Sequence, residues 1–429
     1  MDKAKNPPPR RRRVKVREGE AHMAPVNLDM SIPPHLQREF FFQTAGIHPP
    51  NGILFGFNTV KKVGELAAKL GGKRALLVTD EGIVRTGFVE LVREAMEKEG
   101  IKVHVYDKVE PEPHIETADA LYEAVRGESS DLVVGLGGGS AMDMAKLVSL
   151  AATNKKEPFE LMDKKVVTEP PLKKILIPTT AGTGAEVSMF TVVSAGKDKY
   201  FMGTPYAYPE IAIIDPALTV SLPPKITAST GIDALSHAID SLMNKLANPF
   251  YDSLALGGIE LIGKYLRRAT SDGLDLEARY HMAMGATMAM MAMSGTGALY
   301  SHSITYVLAM FRPMAHGIGC GIALAYTMAF NLPVIAGRLA LIAGAMGVPV
   351  ESLTAREAGR SAVDAVFNLT RDVGMPVSLT EIGFSREDVQ EMAEVCIARY
   401  PRANNPRPMS LDECLNLFAS MWEGKVRYF

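Results

Sequence analysis

The chain is poor in cysteine, has a single tryptophan and is almost balanced in charge. Three cysteines, Cys320, Cys396 and Cys414, stand in 429 residues, and no CxxC occurs. That excludes a disulfide scaffold and a four-cysteine zinc knot, and it suits a reducing cytoplasm. A net charge of −2 leaves no global basic field, so nucleic acid is not an expected partner. Long uninterrupted apolar runs are missing too. The longest stretches, around 283–293 and 320–345, are broken by Gly, Ser, Asn or Pro. They read as buried helices, not membrane spans. Hydrophobic residues at 47% and charged residues at 22% are ordinary for a globular protein of two or three domains.

Residues 1–40 stand apart. "MDKAKNPPPRRRRVKVREGEAHM" is Pro-rich and basic and has no apolar periodicity. No hydrophobic segment follows Arg10–Arg13, which argues against a twin-arginine export signal. The segment is expected to be a disordered extension, or the product of an early start with Met23 or Met30 as alternatives.

From about residue 50 to 220 short aliphatic runs alternate with helical patterns. The runs are "RALLVTD" (74–80), "KVHVYD" (102–107), "DLVVGLGGG" (131–139), "KKILIP" (173–178) and "IAIID" (211–215), and helical spacing fills 86–99, 116–127 and 140–152. Runs apolar on both faces suit a parallel sheet covered by helices. The rhythm predicts a doubly wound, Rossmann-like α/β domain over 41–222. Beyond it β-rich runs nearly vanish, and 223–429 reads as an all-α domain. Thr227 or Ser229 is the expected cap of its first helix.

Three motifs carry chemistry. "VVGLGGGSAMDMAK" (133–146) runs from strand through glycines to helix. Gly137, Gly138 and Gly139 allow close backbone approach, and Ser140 sits where a helix N-terminus favours an anion such as pyrophosphate. The spacing is not GxGxxG, so the usual dinucleotide fingerprint fails and a structural tight turn is the other reading. In "IPTTAGTGAEVS" (177–188), Thr179, Thr180 and Thr183 offer hydroxyls that ring a sugar or phosphate, or merely satisfy a turn. In "GIDALSHAID" (231–240), Asp233 and His237 share one helical face, as a surface ion pair or as half of a metal site.

The stretch "GTGALYSHSITYVLAMFRPMAHGIGC" (295–320) decides between those two. Arg312 is its one strong charge, yet it holds His302 and His316 among apolar residues. One carboxylate and three neutral imidazoles make a plausible four-ligand site for zinc or ferrous iron. Two histidines in apolar sequence make sense if they reach inward to a buried cation. Pro313 should end the helix carrying His302, with His316 supplied by the following turn.

GGGSxxDxAK (Gly137 to Lys146), PTTAGTGAEVS (178–188), DALSHAID (233–240) and the His302/His316 pair ending in HG resemble the iron-containing, group III alcohol dehydrogenase family. "IDPALTVSLPP" (214–224), "ANPFYDSLAL" (247–256) and "NNPRPMS" (404–410) match as well, so the resemblance spans roughly 45–429. It implies the dehydroquinate synthase-like architecture: an α/β nucleotide domain, an all-helical metal domain and a cleft between them. It implies hydride transfer between a small alcohol or aldehyde and NAD(P), one divalent metal (ferrous iron ahead of zinc) and a homo-oligomer. By position, Asp233, His237, His302 and His316 are the implied ligands. Gly137, Gly138, Gly139, Ser140, Asp143, Thr179, Thr180, Thr183, Lys199 and Leu218 are the implied cofactor contacts. Lys199 stands ten residues before Pro209, as the family's lysine does. Asp80 occupies the position where NAD-preferring members carry Asp; its carboxylate would accept ribose hydroxyls and repel a 2′-phosphate.

Three departures from the family pattern bear on function. Tyr306 replaces a third histidine beside the substrate, Glu112 replaces Asn in "EPEP" (110–113), and Gly295 stands where Asn is usual. Tyr306 shares the face of His302 and is a candidate proton relay or a packed bystander. Ser301 and Ser303 should point elsewhere and are given no role. Met310 and Phe311 are candidates for an apolar pocket wall, which favours an uncharged substrate. A hydroxyacid–oxoacid transhydrogenase with retained cofactor is the alternative reading, since those relatives carry Tyr at the 306 position.

Overall fold

The aliphatic runs pair side by side in the computed structural model, which describes residues 52–196 and 198–428. The extension at 1–40 lies outside the described residues. Six parallel strands form one sheet: β1 (Ile53–Phe55), β2 (Arg74–Val78), β3 (Lys102–Tyr106), β4 (Leu132–Gly137), β5 (Lys173–Pro178) and β8 (Ile211–Ile214). Their spatial order is β1-β8-β5-β4-β2-β3. All five runs read as strands are in it; β1, only three residues long, was not foreseen.

Alternation along each strand builds two cores. Leu77, Val134 and Ile175 pack with Val63, Val92 and Met96 on one face. Leu76, Val133 and Leu176 pack with Leu121, Met142 and Leu147 on the other. The covering helices are α1 (Val63–Lys69), α3 (Phe88–Glu97), α4 (Ile115–Gly127) and α5 (Gly139–Asn154). Two short ones, α2 (Glu81–Val84) and α6 (Pro158–Lys164), complete the layer. This is the doubly wound α/β architecture. Successive strands run outward in opposite directions from the β2/β4 pair, and a crevice at such a switch point, beyond the strands' C-terminal ends, is where ligands bind.

A two-stranded antiparallel hairpin, β6 (Phe190–Ala195) and β7 (Asp198–Gly203), projects from this domain. The periodicity reading missed it. Two tethers hold it: the Ser194 N–H donates to the Pro113 carbonyl at 2.9 Å, and the Val192 N–H to Asp143 Oδ2 at 3.1 Å.

From Pro224 onward every regular element is helical: α7 (Pro224–Met243), α8 (Pro249–Ser271), α9 (Leu276–Thr296), α10 (Tyr300–Phe311), α11 (His316–Ala345), α12 (Ala355–Asp372), α13 (Asp388–Arg399) and α14 (Leu411–Glu423). Thr227 and Ser229 do not cap α7. Pro224 is its first residue, because proline's fixed φ and missing N–H suit that position. Thr227 lies inside the helix and accepts a hydrogen bond from Arg279 at 2.9 Å. α10 does stop before Pro313, with Arg312 extended as a residue preceding proline prefers. His316, however, is not in a turn but opens α11. α11 is long and apolar enough to cross a membrane, yet 83% of its apolar window is buried inside the protein.

Candidate metal and cofactor site

α7 is buried over nearly its whole length, so its polar residues must find partners inside. Asp233 and His237 do face together, with His237 Nε2 3.4 Å from Asp233 Oδ1. His316, the first residue of α11, points Nε2 at the same oxygen from 3.8 Å. His302, in the first turn of α10, stacks on His237 with ring centroids 5.2 Å apart and lies 5.6 Å from His316. All four residues singled out from the sequence thus converge from three helices. Cys320, one turn beyond His316, joins them. Its thiol donates to Asp233 Oδ1 at 3.6 Å, and it shares with Asp233, His302 and His316 a cluster of donor atoms all within 4.8 Å of one another.

The donor set fits a divalent cation. Nε2 of His302 is buried and has no hydrogen-bond partner, a costly arrangement for a polar atom unless something ligates it. Burial pulls the imidazoles of His237 and His316 down to about 4, so both are neutral at pH 7 and present lone pairs. Burial pushes the Asp233 carboxyl up, but the adjacent His237, His316 and His302 outweigh it and hold it below its ordinary value. Nitrogen and carboxylate donors of this kind suit iron or zinc.

A second tier of residues escaped the sequence reading. Asp240, fully buried, accepts His302 Nδ1 at 2.8 Å and Ser301 Oγ at 2.5 Å. Ser301, expected to have no role, therefore touches the carboxylate that touches His302. A signal existed: Asp240 follows Asp233 by seven residues and so shares its face of an apolar helix. Ser303 does point elsewhere, to the Tyr400 carbonyl at 2.8 Å.

A cleft opens over this cluster. Gly139, Ser140, Asp143, Thr183 and Lys199 line it from the α/β side, and Asp233, His237, His302, Tyr306 and His316 from the helices. Its apolar wall is Phe190, Phe201, Met290 and Met293, not Met310 and Phe311. Those two sit at the far end of α10, about 12 Å along the axis from His302. Tyr306 does flank the site, its ring 5.7 Å from His316, and burial pushes its phenol up to about 12.

On the cofactor side the switch point juxtaposes Asp80, at the end of β2, with the glycine turn after β4. Asp80 Oδ1 caps α2 through the Ile83 N–H at 3.1 Å; Oδ2 lies beside Gly137, where a Cβ would stand 3.5 Å from it. Gly137 has φ +151°, which favours glycine. Gly138 lies against Thr180, and a Cβ on Gly139 would meet Thr183 at 2.9 Å. The hydroxyls of Thr179 and Thr180 are buried without partners, and neither residue lines the cleft.

Three implied cofactor contacts behave differently. Asp143 has both oxygens occupied, by Lys146 at 3.2 Å and the Val192 N–H, and pins the hairpin to α5. Leu218 packs in the sheet core and does not line the cleft. Lys199 is paired with Glu112, which adopts φ +55°. Gly295 is explained by packing: a Cβ there would sit 1.8 Å from Tyr251 Cζ.

Comparison with known proteins agrees with this fold. Residues 50–216 match the iron-containing alcohol dehydrogenase family, and residues 227–422 match the family's C-terminal region. The chain belongs to the iron-containing alcohol dehydrogenase family. It is 36% identical to a choline dehydrogenase of Bacillus subtilis (strain 168) over 84% of this chain and 91% of that protein. It is 33% identical to an NAD-dependent methanol dehydrogenase of Bacillus methanolicus over 85% and 96%. A crystal structure of a 1,3-propanediol oxidoreductase superposes with TM-score 0.85 at 32% identity, covering 89% of this chain and all of that one. Family and fold make the chain a metal-containing, NAD-linked alcohol dehydrogenase.

Proposed function

We propose that Asp233, His237, His302 and His316 would hold one divalent metal beneath the cleft, and that the protein acts on a small alcohol or aldehyde with NAD. The observation that carries this is the buried, unpartnered Nε2 of His302, aimed at the Asp233 carboxylate's neighbourhood. When bound, the metal lowers the pKa of a substrate hydroxyl and NAD takes up the hydride. Ferrous iron is the expected ion, ahead of zinc.

The chain's own residues position the reactants. The start of α5 at Gly139 and Ser140 presents backbone N–H groups to the pyrophosphate. Thr180, whose hydroxyl has no partner, lies against Gly138 of the same turn. Asp80 Oδ2 accepts from the ribose and disfavours a 2′-phosphate, so NAD is preferred over NADP. Tyr306 keeps its proton at neutral pH and donates or relays it beside His316. Phe190, Phe201, Met290 and Met293 favour an uncharged substrate, since Lys199, the one cation of the wall among the described residues, is neutralised by Glu112. The working form is a homo-oligomer.

The test is a substrate panel with metal-loaded protein, following NADH formation alongside metal content. About one ion per chain is expected, and His316→Ala should lose metal and activity together. NADH should accumulate without a second keto substrate, which a transhydrogenase with retained cofactor would require. Full activity in metal-stripped His316→Ala protein overturns the assignment.

A further inference from the structure

Asp240 is fully buried on α7, on the same face as Asp233 and His237. One of its oxygens, Oδ2, takes three donors, all from the start of α10. They are the Leu299 N–H at 2.8 Å, the Ser301 hydroxyl at 2.5 Å and His302 Nδ1 at 2.8 Å. Leu299 is the cap residue of α10, and its own side chain supplies no cap. A helix start leaves N–H groups unpaired and carries partial positive charge. The Asp240 carboxylate answers both from a neighbouring helix.

The same contact decides which nitrogen of His302 is free. A carboxylate oxygen only accepts, so Nδ1 must donate its proton to Asp240 and Nε2 is left with a lone pair. Nε2 is the buried, unpartnered atom that faces the donor cluster. We infer that Asp240 is a positioning residue: it fixes the tautomer and ring orientation of His302, and through Ser301 and Leu299 it docks the first turn of α10 on α7. The consequence for metal affinity rests on the metal reading proposed above; the tautomer rests on the hydrogen bonds alone. An outer carboxylate of this kind raises the basicity of the ligating nitrogen and holds the ring in place.

Asp240→Asn is the informative variant. Its amide oxygen can replace Oδ2, while its NH₂ takes the place of Oδ1, which has no partner in the parent. Shape is kept and charge is removed. Two measurements are made on parent and variant. Chelator competition with Zn²⁺ should show affinity weakened by about 10–100-fold in Asp240→Asn, with the melting temperature of the metal-free protein little changed. ¹⁵N NMR of imidazole-labelled metal-free protein, with His302→Gln to assign the signal, should show His302 as the Nδ1–H tautomer in the parent and in Asp240→Asn, whose amide oxygen still accepts, and as a mixture in Asp240→Leu, which has no acceptor. Parental affinity in Asp240→Asn overturns the inference, as does an Nε2–H tautomer in the parent. A parent that binds no Zn²⁺ counts against the metal reading instead. The tautomer then decides alone: a mixture in Asp240→Leu supports the role of Asp240, and an unchanged signal there refutes it.

Discussion

Gly317→Ala should displace His316 and weaken the metal site, although the alanine touches neither ligand nor substrate. Gly317 follows His316 at the start of α11, where that helix crosses α7. A Cβ at Gly317 would lie 2.0 Å from the Ser229 carbonyl oxygen and 2.6 Å from its carbon, whereas ordinary contact begins at 3.4 Å. Those are backbone atoms of a buried helix and cannot rotate away. α11 must therefore back off by more than an ångström, carrying His316 from its 3.8 Å approach to Asp233. Overpacking of this kind costs about 1–3 kcal/mol, and a misplacement of roughly 1 Å can cost about 10²-fold in rate. Gly337→Ala is the control. It lies in the helical segment beyond the kink that Pro333 and the non-helical Ile335 make in α11, with nothing within 4 Å of the added methyl, and should gain roughly 0.5–1 kcal/mol from helix propensity. The assay is melting temperature and metal affinity for both variants. Parental stability and metal affinity in Gly317→Ala would refute the claim that close crossing of α7 and α11 sets the site.

The other predictions concern cofactor choice, proton transfer and pH. Asp80→Gly and Asp80→Ser should relax the preference for NAD, read as the ratio of kcat/KM for NAD and NADP; equal turnover of both cofactors by the parent defeats the argument. Tyr306→Phe should lower the rate about 10²-fold if the phenol relays protons, with metal retained, and an unchanged rate assigns Tyr306 to packing. Burial pulls His237 and His316 down to about 4, against about 6.5 in an unfolded chain. The unfolded chain then binds more protons between those values, so metal-free protein should lose stability as pH falls from about 6.5 to about 4. Urea midpoints of the parent and of His237→Leu/His316→Leu should diverge across that window, and a constant difference contradicts it.

Much of the fold is local, and local features are legible. A strand in a parallel sheet is covered on both faces, so its sequence is apolar throughout; "RALLV" and "KILIP" announce it without tertiary information. The proposed ligands were legible for a related reason. A four-residue spacing places Asp233 and His237 together on any helix, and imidazoles are scarce enough in apolar sequence for His302 and His316 to stand out.

What the sequence did not display depends on contacts between distant segments. Asp240 meets His302 across 62 residues, and only the crossing of α7 and α10 makes Ser301 its partner. Cys320 belongs to no motif in the sequence, and only the placement of α11 brings it to Asp233. Asp143, beside the cleft, also holds Lys146 and the hairpin, a role set by β6, which propensity alone had not revealed. The pocket wall moved from the end of α10 to β6, β7 and α9 because a cleft is bounded by whatever faces it, irrespective of distance along the chain. Periodicity and residue chemistry set which elements form and which donors are available. The tertiary structure alone decided which of them meet, because those contacts are set by the crossing of helices and the switch point of the sheet.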